Sequence, residues 1–346
     1  MKKITTIILC IAALALASCS SSSKSSITGA GATFPLPFYN IAFKAYQDSS
    51  QTLVTYGGIG SGGGIRSLKD KIVDFAGTDA FLSEKELAEM PGEVLHIPTC
   101  MGAIVLAYNL PAVKDLNLNG ELIVDIFLGN ITKWNDSRIA ALNVGVNLPD
   151  LKITPTYRSD GSGTTFVFSD FLSKVSPRWA EQLGTAKALK WPAGIAAKGN
   201  PGVAGTIKQT EGAIGYIGSE YGFSLKIPMA KIQNSSGNFV SPTSESISAS
   251  ASLEMPKDMR VMITNSASPE AYPISCFTWL LIYKDQATND KTSIEQAKEN
   301  VKLMKWMLGK NAQNITKIVH YSPLPQSVIN TSLNALDEVT FGGNKL

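Results

Sequence analysis

Short apolar runs alternate along this chain with segments whose apolar residues recur at helical spacing. The apolar, β-branched runs predict six strands, at 53–56, 73–76, 104–108, 153–157, 213–217 and 277–283. Apolar positions three and four apart predict helices around them, at 37–47, 65–71, 83–90, 121–128, 162–175 and 294–308. Strands alternating with helices indicate an α/β fold with a mixed sheet covered on both faces. The Asn- and Ser-rich stretch 233–252 interrupts this rhythm, and we expect it to be a surface excursion.

The first residues have the pattern of an export signal. Two lysines precede an apolar stretch at 4–17, which has the length of a signal-peptide core and is too short to span a membrane. The stretch leads into Leu-Ala-Ser-Cys, ending at Cys19, which resembles a bacterial lipobox. We therefore predict a lipoprotein signal peptide at 1–18, lipid on Cys19 and a flexible serine-rich tether at 19–26. An ordinary signal peptide with a chance cysteine is the alternative.

Composition limits the size and chemistry of the rest of the chain. With 346 residues it is long enough for about two domains. Its net charge is +3, and removal of the two signal lysines leaves 3 − 2 = +1, which gives no basis for bulk nucleic-acid binding. His96 and His320 lie far apart and no C-x-x-C occurs, so we expect no His/Cys metal site. A G-x-S-x-G nucleophile elbow is also missing from the sequence.

Export would change how the cysteines are interpreted. Cys10 lies in the predicted signal and Cys19 carries the predicted lipid, so only Cys100 and Cys276 remain for the folded part. These two are either buried thiols or, in an oxidising compartment, one disulfide.

Two glycine-rich segments place small residues and hydroxyls before predicted helices. The first, TGAGATFP at 28–35, offers the Thr33 hydroxyl and the free N–H groups of a helix start, although a plain strand-to-helix turn has the same pattern. The second, GGIGSGGG at 57–64, contains G-x-G-x-x-G at Gly58, Gly60 and Gly63, and Asp79 lies 16 residues after Gly63. A nucleotide site with Asp79 on a ribose is therefore an alternative at this segment.

A third segment joins an arginine to a helix start. Arg158 ends a predicted strand, and SDGSGTT at 159–165 opens the predicted helix, which Ser162 can cap. Helix N–H groups, hydroxyls and one guanidinium at a single point indicate an anion site. A structural salt bridge between Arg158 and Asp160 is the alternative. The two interpretations are compatible, because Asp160 can hold the guanidinium in its working orientation.

The segments TGAGATFP, GIGSGGG, VDFAGTDAFLS and RSDGSGTTFVF, in this order and at this separation, resemble the phosphate-binding proteins of high-affinity phosphate ABC transporters. The likeness continues through KWP, KGN, GAIGY and YPI and covers nearly the whole mature chain. It implies a periplasmic-binding-protein fold, type II-like, with two α/β lobes joined by a hinge and phosphate in the cleft between them. Lobe I would comprise 27–100 plus 275–346, and lobe II would comprise 101–274.

The resemblance also implies which residues bind the ion. The phosphate-binding positions come from both lobes: Thr33, Phe34 (through its backbone N–H), Ser61, Asp79, Arg158, Ser162, Gly163 and Thr164, with Asp160 in a supporting role. Asp79 would accept the proton that phosphate carries and sulfate lacks, and so reject sulfate. The alternative for Asp79 is a helix cap near Ser83.

The resemblance implies a monomeric binding protein, lipid-anchored on the periplasmic side of a membrane, that delivers inorganic phosphate to the permease subunits of an ABC importer. It implies no enzyme activity, cofactor or metal. In the family, Cys100 and Cys276 lie near the lobe crossover, where a disulfide could form. Two other classes stay open: a phosphate-ester hydrolase, and another small-oxyanion-binding or surface lipoprotein on the same fold.

Overall fold

A computed structural model describes residues 26–252 and 254–346, so the predicted signal peptide and Cys19 lie outside the described residues. The strands are β1 Ser26–Gly31, β2 Leu53–Gly58, β3 Phe75–Thr78, β4 Val94–Tyr108, β5 Asn117–Leu118, β6 Thr154–Arg158, β7 Ile195–Ala197, β8 Ala213–Gly218, β9 Lys231–Gln233, β10 Phe239–Val240, β11 Ser275–Tyr283, β12 Thr340–Phe341 and β13 Asn344–Lys345. The α-helices are α1 Leu36–Ser50, α2 Ser61–Lys69, α3 Glu84–Ala88, α4 Gly120–Phe127, α5 Ser137–Leu142, α6 Gly163–Val175, α7 Pro177–Gln182, α8 Gly199–Gln209, α9 Ser219–Leu225, α10 Ser244–Ala249, α11 Ile294–Leu308, α12 Lys310–Ile318 and α13 Gln326–Leu336, and a 3₁₀ turn covers Gln286–Thr288.

Eight strands form one mixed sheet, in the order β2-β1-β3-β11-β4-β8-β6-β7. β1 pairs in parallel with β2 and β3, and β6 pairs in parallel with β7 and β8. β11 runs antiparallel to both β3 and β4, and β4 runs antiparallel to β8. The mixed α/β sheet predicted from the sequence is confirmed.

The long strand β4 belongs to both ends of this sheet. Its residues 94–103 pair with β11, and Ile104–Tyr108 pair with β8. The pairing partner therefore changes at Ala103/Ile104. We call β2, β1, β3, β11 and the start of β4 the first half of the sheet, and the end of β4 with β8, β6 and β7 the second half. Nearly every β4 side chain is buried, as expected of a strand covered on both faces.

Helix periodicity accounts for how the sheet is covered. In α11, Ser293 and Gln296 form a capping box at the start, and Ala297, Val301 and Met304 recur on the buried face. In α6, Phe168 packs flat on Tyr216 of β8, with ring centroids 4.4 Å apart. Each such buried apolar side chain stabilises the fold by about 1.5–3 kcal/mol relative to its exposed state.

The elements differ from the sequence predictions in a few places. All six predicted strands are present, but 104–108 is the end of a strand that starts at Val94. The stretch expected to be a surface excursion, 233–252, is mostly exposed or half-buried, and it also contains β10 and α10. There Ile247 is buried and the Ser250 hydroxyl donates to the Tyr272 carbonyl at 3.1 Å. The sequence did not predict strand β1, the short strands β5, β7, β9, β10, β12 and β13, or the helices α5, α7, α8, α9, α10, α12 and α13.

The two remaining cysteines lie on adjacent strands, Cys100 on β4 and Cys276 on β11. Both are buried and free. Cys100 lies opposite Thr278 and Cys276 opposite Gly102, so the two cysteines are diagonal neighbours rather than a directly opposed pair. Burial raises the pKa of both thiols well above the ordinary value. Of the two interpretations left open, the structure therefore has buried thiols.

Candidate functional site

The three glycine-rich segments meet where the two halves of the sheet face each other. The segment 28–35 covers the end of β1 and the turn into α1, GGIGSGGG leads from β2 into α2, and Asp79 follows β3 directly. From the second half, Arg158 ends β6 and Ser162 precedes α6. Because carboxyl ends of parallel strands lie at one edge of a sheet, these loops converge there.

Hydrogen bonds join the segments across the two halves. The Gly163 N–H donates to Ser61 Oγ at 3.0 Å, and the Gly62 N–H donates to the Gly161 carbonyl at 2.9 Å. The Thr164 hydroxyl donates to Asp79 Oδ2 at 3.3 Å. The side chains predicted to bind phosphate are all buried, Thr33, at 5% exposure, being the most accessible. The structure thus brings the predicted positions together in a closed, buried site.

Close backbone contact explains the glycines of GGIGSGGG. A Cβ on Gly60, which has φ +87°, would lie 2.3 Å from Asp160 Oδ2. A Cβ on Gly62 would lie 3.1 Å from the Cα of Gly161. This loop therefore packs against the segment 159–165, so its glycines are explained by close backbone packing without a nucleotide.

Arg158 is held by the salt bridge that the sequence suggested. Its Nε donates to Asp160 Oδ1 at 2.8 Å and its Nη2 to Oδ2 at 2.6 Å. Burial alone would raise the pKa of Asp160, but the hydrogen bonds and charge of Arg158 outweigh it and lower that pKa. Nη1 points the other way, 3.4 Å from the Thr164 hydroxyl. Asp160 thus fixes a guanidinium whose other edge faces the converging loops.

Asp79 is the buried acceptor of the site. Its Oδ1 accepts the Thr278 hydroxyl at 2.9 Å, and its Oδ2 accepts that of Thr164. Burial raises the pKa of Asp79 to about 7, against the lowering effect of these hydrogen bonds and of the Arg158 charge. The cap of α3 is Ser83 itself, whose Oγ accepts the Glu86 N–H at 3.3 Å. The helix-cap alternative for Asp79 is therefore wrong.

Most other polar groups of the site can only donate to a ligand. Ser61 Oγ already accepts the N–H groups of Gly163 and, at 3.4 Å, Asp79, so its own proton remains for donation. Ser162 caps α6 by accepting the Thr165 N–H at 3.0 Å. Within the described part of the chain nothing accepts from the backbone N–H of Phe34 or of Thr164 at the start of α6. Hydroxyl and N–H donors, one guanidinium and one carboxyl acceptor suit a protonated oxyanion.

Sequence reasoning missed several residues that contact these groups. The buried Asn200 contacts both Thr33 and Thr164, and the Tyr221 hydroxyl donates to the Thr33 carbonyl at 2.5 Å. Thr278 was hidden within an apolar strand, where a lone hydroxyl was the available signal. For Asn200 the signal was its place in the KGN motif.

The two histidines have separate surroundings. His96 Nε2 accepts the Leu82 N–H at 3.1 Å, and burial lowers the pKa of His96 to about 3. The ring of His320 lies 4.6 Å from that of Phe223. Over residues 26–252 and 254–346, no group of three His, Cys, Asp or Glu side chains could hold a metal ion. Over the same residues no helix is long and apolar enough to cross a membrane.

Comparison with curated proteins gives close relatives. The chain is 38% identical over 308 residues to the phosphate-binding protein PstS of Xylella fastidiosa (strain 9a5c), covering 88% of this chain and 82% of that protein. It is also 38% identical over 309 residues to PstS of Pasteurella multocida (strain Pm70), covering 88% of each chain.

Solved structures show the same fold. PfluDING, a high-affinity periplasmic phosphate-binding protein solved with phosphate, superposes with a TM-score of 0.74 at 22% identity, covering 92% of this chain and 96% of that one. The phosphate-binding protein of Stenotrophomonas maltophilia gives 0.69 at 18% identity, covering 88% and 92%. The predicted two-lobe periplasmic-binding-protein fold is confirmed. Residues 18–309 match the PBP superfamily domain, and the chain belongs to this superfamily and, within it, to the family of phosphate-binding proteins PstS.

Proposed function

We propose that this chain binds inorganic phosphate between the two halves of its sheet and delivers it to the membrane subunits of a phosphate ABC importer. One observation carries the proposal: many hydrogen-bond donors and one carboxyl acceptor, Asp79, lie together in a buried site. Phosphate near neutral pH has oxygens that accept and a proton that it can donate. The relatives named PstS support phosphate as the ligand.

Each predicted position has a role in this proposal. The hydroxyls of Thr33, Ser61 and Ser162 and the N–H groups of Phe34 and Thr164 donate to phosphate oxygens, Arg158 supplies the positive charge, Asp160 orients Arg158, and Asp79 accepts the phosphate proton. The Gly163 N–H holds Ser61, and the Thr164 hydroxyl holds Asp79, beside the ion. Gly163 has a further role, since a Cβ there would lie 2.7 Å from the Asp79 nitrogen. The start of α6 can approach the β3 loop only without that side chain.

We propose the lobe bounds given by the resemblance, 27–100 plus 275–346 and 101–274. The change of pairing partner within β4, at Ala103/Ile104, lies close to the first of these bounds and supports it. β4 and its neighbour β11 would then act as the hinge. In this scheme the contacts of Ser61, Asp79 and Gly62 with the second half form when the lobes close.

The same proposal places the protein at the cell envelope as a monomer, held by lipid on Cys19 through the serine-rich tether. Lipid anchors add membrane affinity through each buried CH₂ group. Replacing Cys19 with Ser should therefore release the protein from the membrane fraction. Unchanged membrane association of Cys19→Ser would refute the anchor and leave phosphate binding untouched.

A titration tests the binding function directly. The soluble body, from residue 26 onward, is unfolded, dialysed free of small anions, refolded and titrated calorimetrically with phosphate, sulfate and a phosphate monoester. We expect saturable heat with phosphate and much weaker binding of the other two. Heat with none of them would contradict phosphate binding, and steady release of phosphate from the ester would support the hydrolase instead.

A further inference from the structure

Asn200 is a fully buried side chain whose contacts are concentrated on the proposed phosphate site. It is the second residue of α8 and belongs to the second half of the sheet. Its Nδ2 lies 3.2 Å from Thr33 Oγ1 and 3.1 Å from Thr164 Oγ1. Since Thr33 follows β1, in the first half, one carboxamide connects hydroxyls from the two halves of the molecule.

The orientation of this carboxamide is fixed by a backbone group. The Gly218 N–H lies 3.0 Å from Asn200 Oδ1. A backbone N–H can only donate, so the oxygen of the carboxamide must face Gly218. The Nδ2 then faces the two threonines, and its two hydrogens provide one hydrogen bond for each hydroxyl.

These hydrogen bonds determine what the Thr33 hydroxyl can do. Thr33 Oγ1 accepts the Asn200 backbone N–H at 3.0 Å in addition to Nδ2. A hydroxyl has two acceptor lone pairs and one proton, so both acceptor positions of Thr33 are occupied. What remains is the O–H, which can only donate to a ligand.

The Thr164 hydroxyl is constrained in the same way. Its Oγ1 accepts from Asn200 Nδ2 and, at 3.4 Å, from Arg158 Nη1, while its proton goes to Asp79. Neither threonine can therefore accept a proton from the bound ion. Asp79 is left as the acceptor for that proton.

We propose that Asn200 is a positioning and specificity-determining residue of the anion site, which holds the Thr33 and Thr164 hydroxyls as donors and reserves ligand-proton acceptance for Asp79. This rests on the proposed phosphate binding. Gly199 strengthens the arrangement, because its N–H donates to Asp160 Oδ1 at 3.0 Å and so ties the same helix start to the carboxylate that holds Arg158. Without the carboxamide, both threonine hydroxyls can rotate, and Thr33 loses its orientation toward the ion and Thr164 its orientation toward Asp79.

The test is a double-mutant cycle on phosphate affinity. Asn200→Ala should weaken phosphate binding about tenfold, the equivalent of one well-placed hydrogen bond. In a Thr33→Val background the same change should cost less than about threefold, since the hydroxyl that Asn200 orients is gone. If the affinity of the double variant falls by the product of the two single-variant factors, Asn200 and Thr33 are not coupled, and Asn200 is only a structural residue.

A matched control separates this role from folding. Asn143, which directly follows α5, is also buried. Its side chain makes three hydrogen bonds, to the N–H and carbonyl of Asn117 and the carbonyl of Ile139. Asn143→Ala should lower the melting temperature of the phosphate-free protein but leave phosphate affinity unchanged. Equal losses of affinity in the two variants would count against a specific role of Asn200.

A second variant keeps the size of the side chain. Asn200→Asp retains an oxygen for Gly218 but replaces the Nδ2 donor with an acceptor, so Thr33 donates to it rather than to the ion, and Thr164 donates to it rather than to Asp79. Phosphate should bind more weakly to Asn200→Asp than to Asn200→Ala, and wild-type affinity would overturn the proposal. The wild-type titration distinguishes the failures: phosphate binding by wild type with unchanged Asn200→Ala affinity removes this inference alone, and no wild-type binding removes both.

Discussion

Rejection of sulfate should depend on pH because Asp79, the carboxyl acceptor of the proposed site, has a pKa raised toward neutrality. Burial raises the pKa of Asp79 to about 7. When ionised, Asp79 can only accept a hydrogen bond, and it repels the bare oxygens of sulfate. When protonated, it can donate to one of them. Sulfate should therefore bind better as the pH falls through 7, and Asp79→Asn, a permanent donor, should bind it at every pH.

The size of the effect follows from the fraction of Asp79 that is protonated. With a pKa of about 7, this fraction is about 0.9 at pH 6 and about 0.1 at pH 8. If only the protonated form admits sulfate, its affinity for the wild type should rise about tenfold from pH 8 to pH 6. In Asp79→Asn the affinity should stay flat over the same range.

The assay is displacement of labelled phosphate by sulfate at constant ionic strength, because salt screens charge interactions. Asp74→Asn is a matched control: burial also raises the pKa of Asp74, but its partners are Thr28 and Thr292, neither of which is a proposed phosphate-binding residue. We expect this control to keep the wild-type pH profile. A wild-type profile without pH dependence, or the same pH dependence in Asp79→Asn, would refute this account of selectivity.

The same pKa shift affects stability in the absence of phosphate. A carboxyl whose pKa is raised on folding adds stability below its unfolded value, here 3.8, and that stability is lost as the pH rises through about 7. A shift of this size corresponds to about 4 kcal/mol at most. The wild type should therefore lose unfolding free energy relative to Asp79→Asn between pH 4 and pH 8, measured by urea denaturation. A constant difference between the two proteins would contradict the raised pKa.

Substitutions of Gly62, Arg158 and Lys187 test the arrangement of the site further. Gly62→Ala adds a Cβ 3.1 Å from Gly161 and should weaken phosphate binding about tenfold by calorimetry without lowering the phosphate-free melting temperature. Gly205→Ala, a helical glycine with nothing within 4 Å of the added Cβ, should leave affinity unchanged, and equal affinities for the two variants would reject the close-contact argument. Arg158→Ala should lose tenfold or more in affinity and Arg158→Lys should recover only part, because the planar fork is lost; wild-type affinity of the alanine variant would remove Arg158 from the site. Lys187→Met removes a 2.7 Å ion pair with Glu86 between the two halves, so stopped-flow should show faster phosphate release from the variant than from the wild type, with a larger difference at low salt than at high salt; equal release rates at low salt would show that this pair does not hold the lobes closed.

Local signals in the sequence predicted much of the fold. Helix α11 was predicted with its observed bounds, because its apolar period is regular and Ser293 and Gln296 mark its start. Strand β1 was interpreted only as part of a ligand loop, because its glycines suggest a turn; pairing with β2 and β3 on both sides decides its conformation. The beginning of β4 contains His96 and Pro98, which obscured the strand pattern.

The site likewise contains residues that local sequence patterns predicted and residues that they did not. Arg158 and Ser162 were predicted because a strand end, an arginine and a helix start are adjacent in sequence. Asn200 lies 167 residues from Thr33, and Lys187 lies 101 residues from Glu86. Such contacts depend on how the two halves of the sheet meet, which no local pattern encodes.

Release of ligand on unfolding is the most direct test of phosphate binding by this chain. A ligand that binds only the folded chain is freed when the chain unfolds. The soluble body purified without phosphate in the buffers, beside a Gly163→Ala variant whose added Cβ would lie 2.7 Å from the Asp79 nitrogen, is denatured and assayed for inorganic phosphate. We predict about one phosphate per wild-type chain and almost none from the variant. A folded wild-type protein that releases no phosphate, and binds none when it is supplied, would contradict the account.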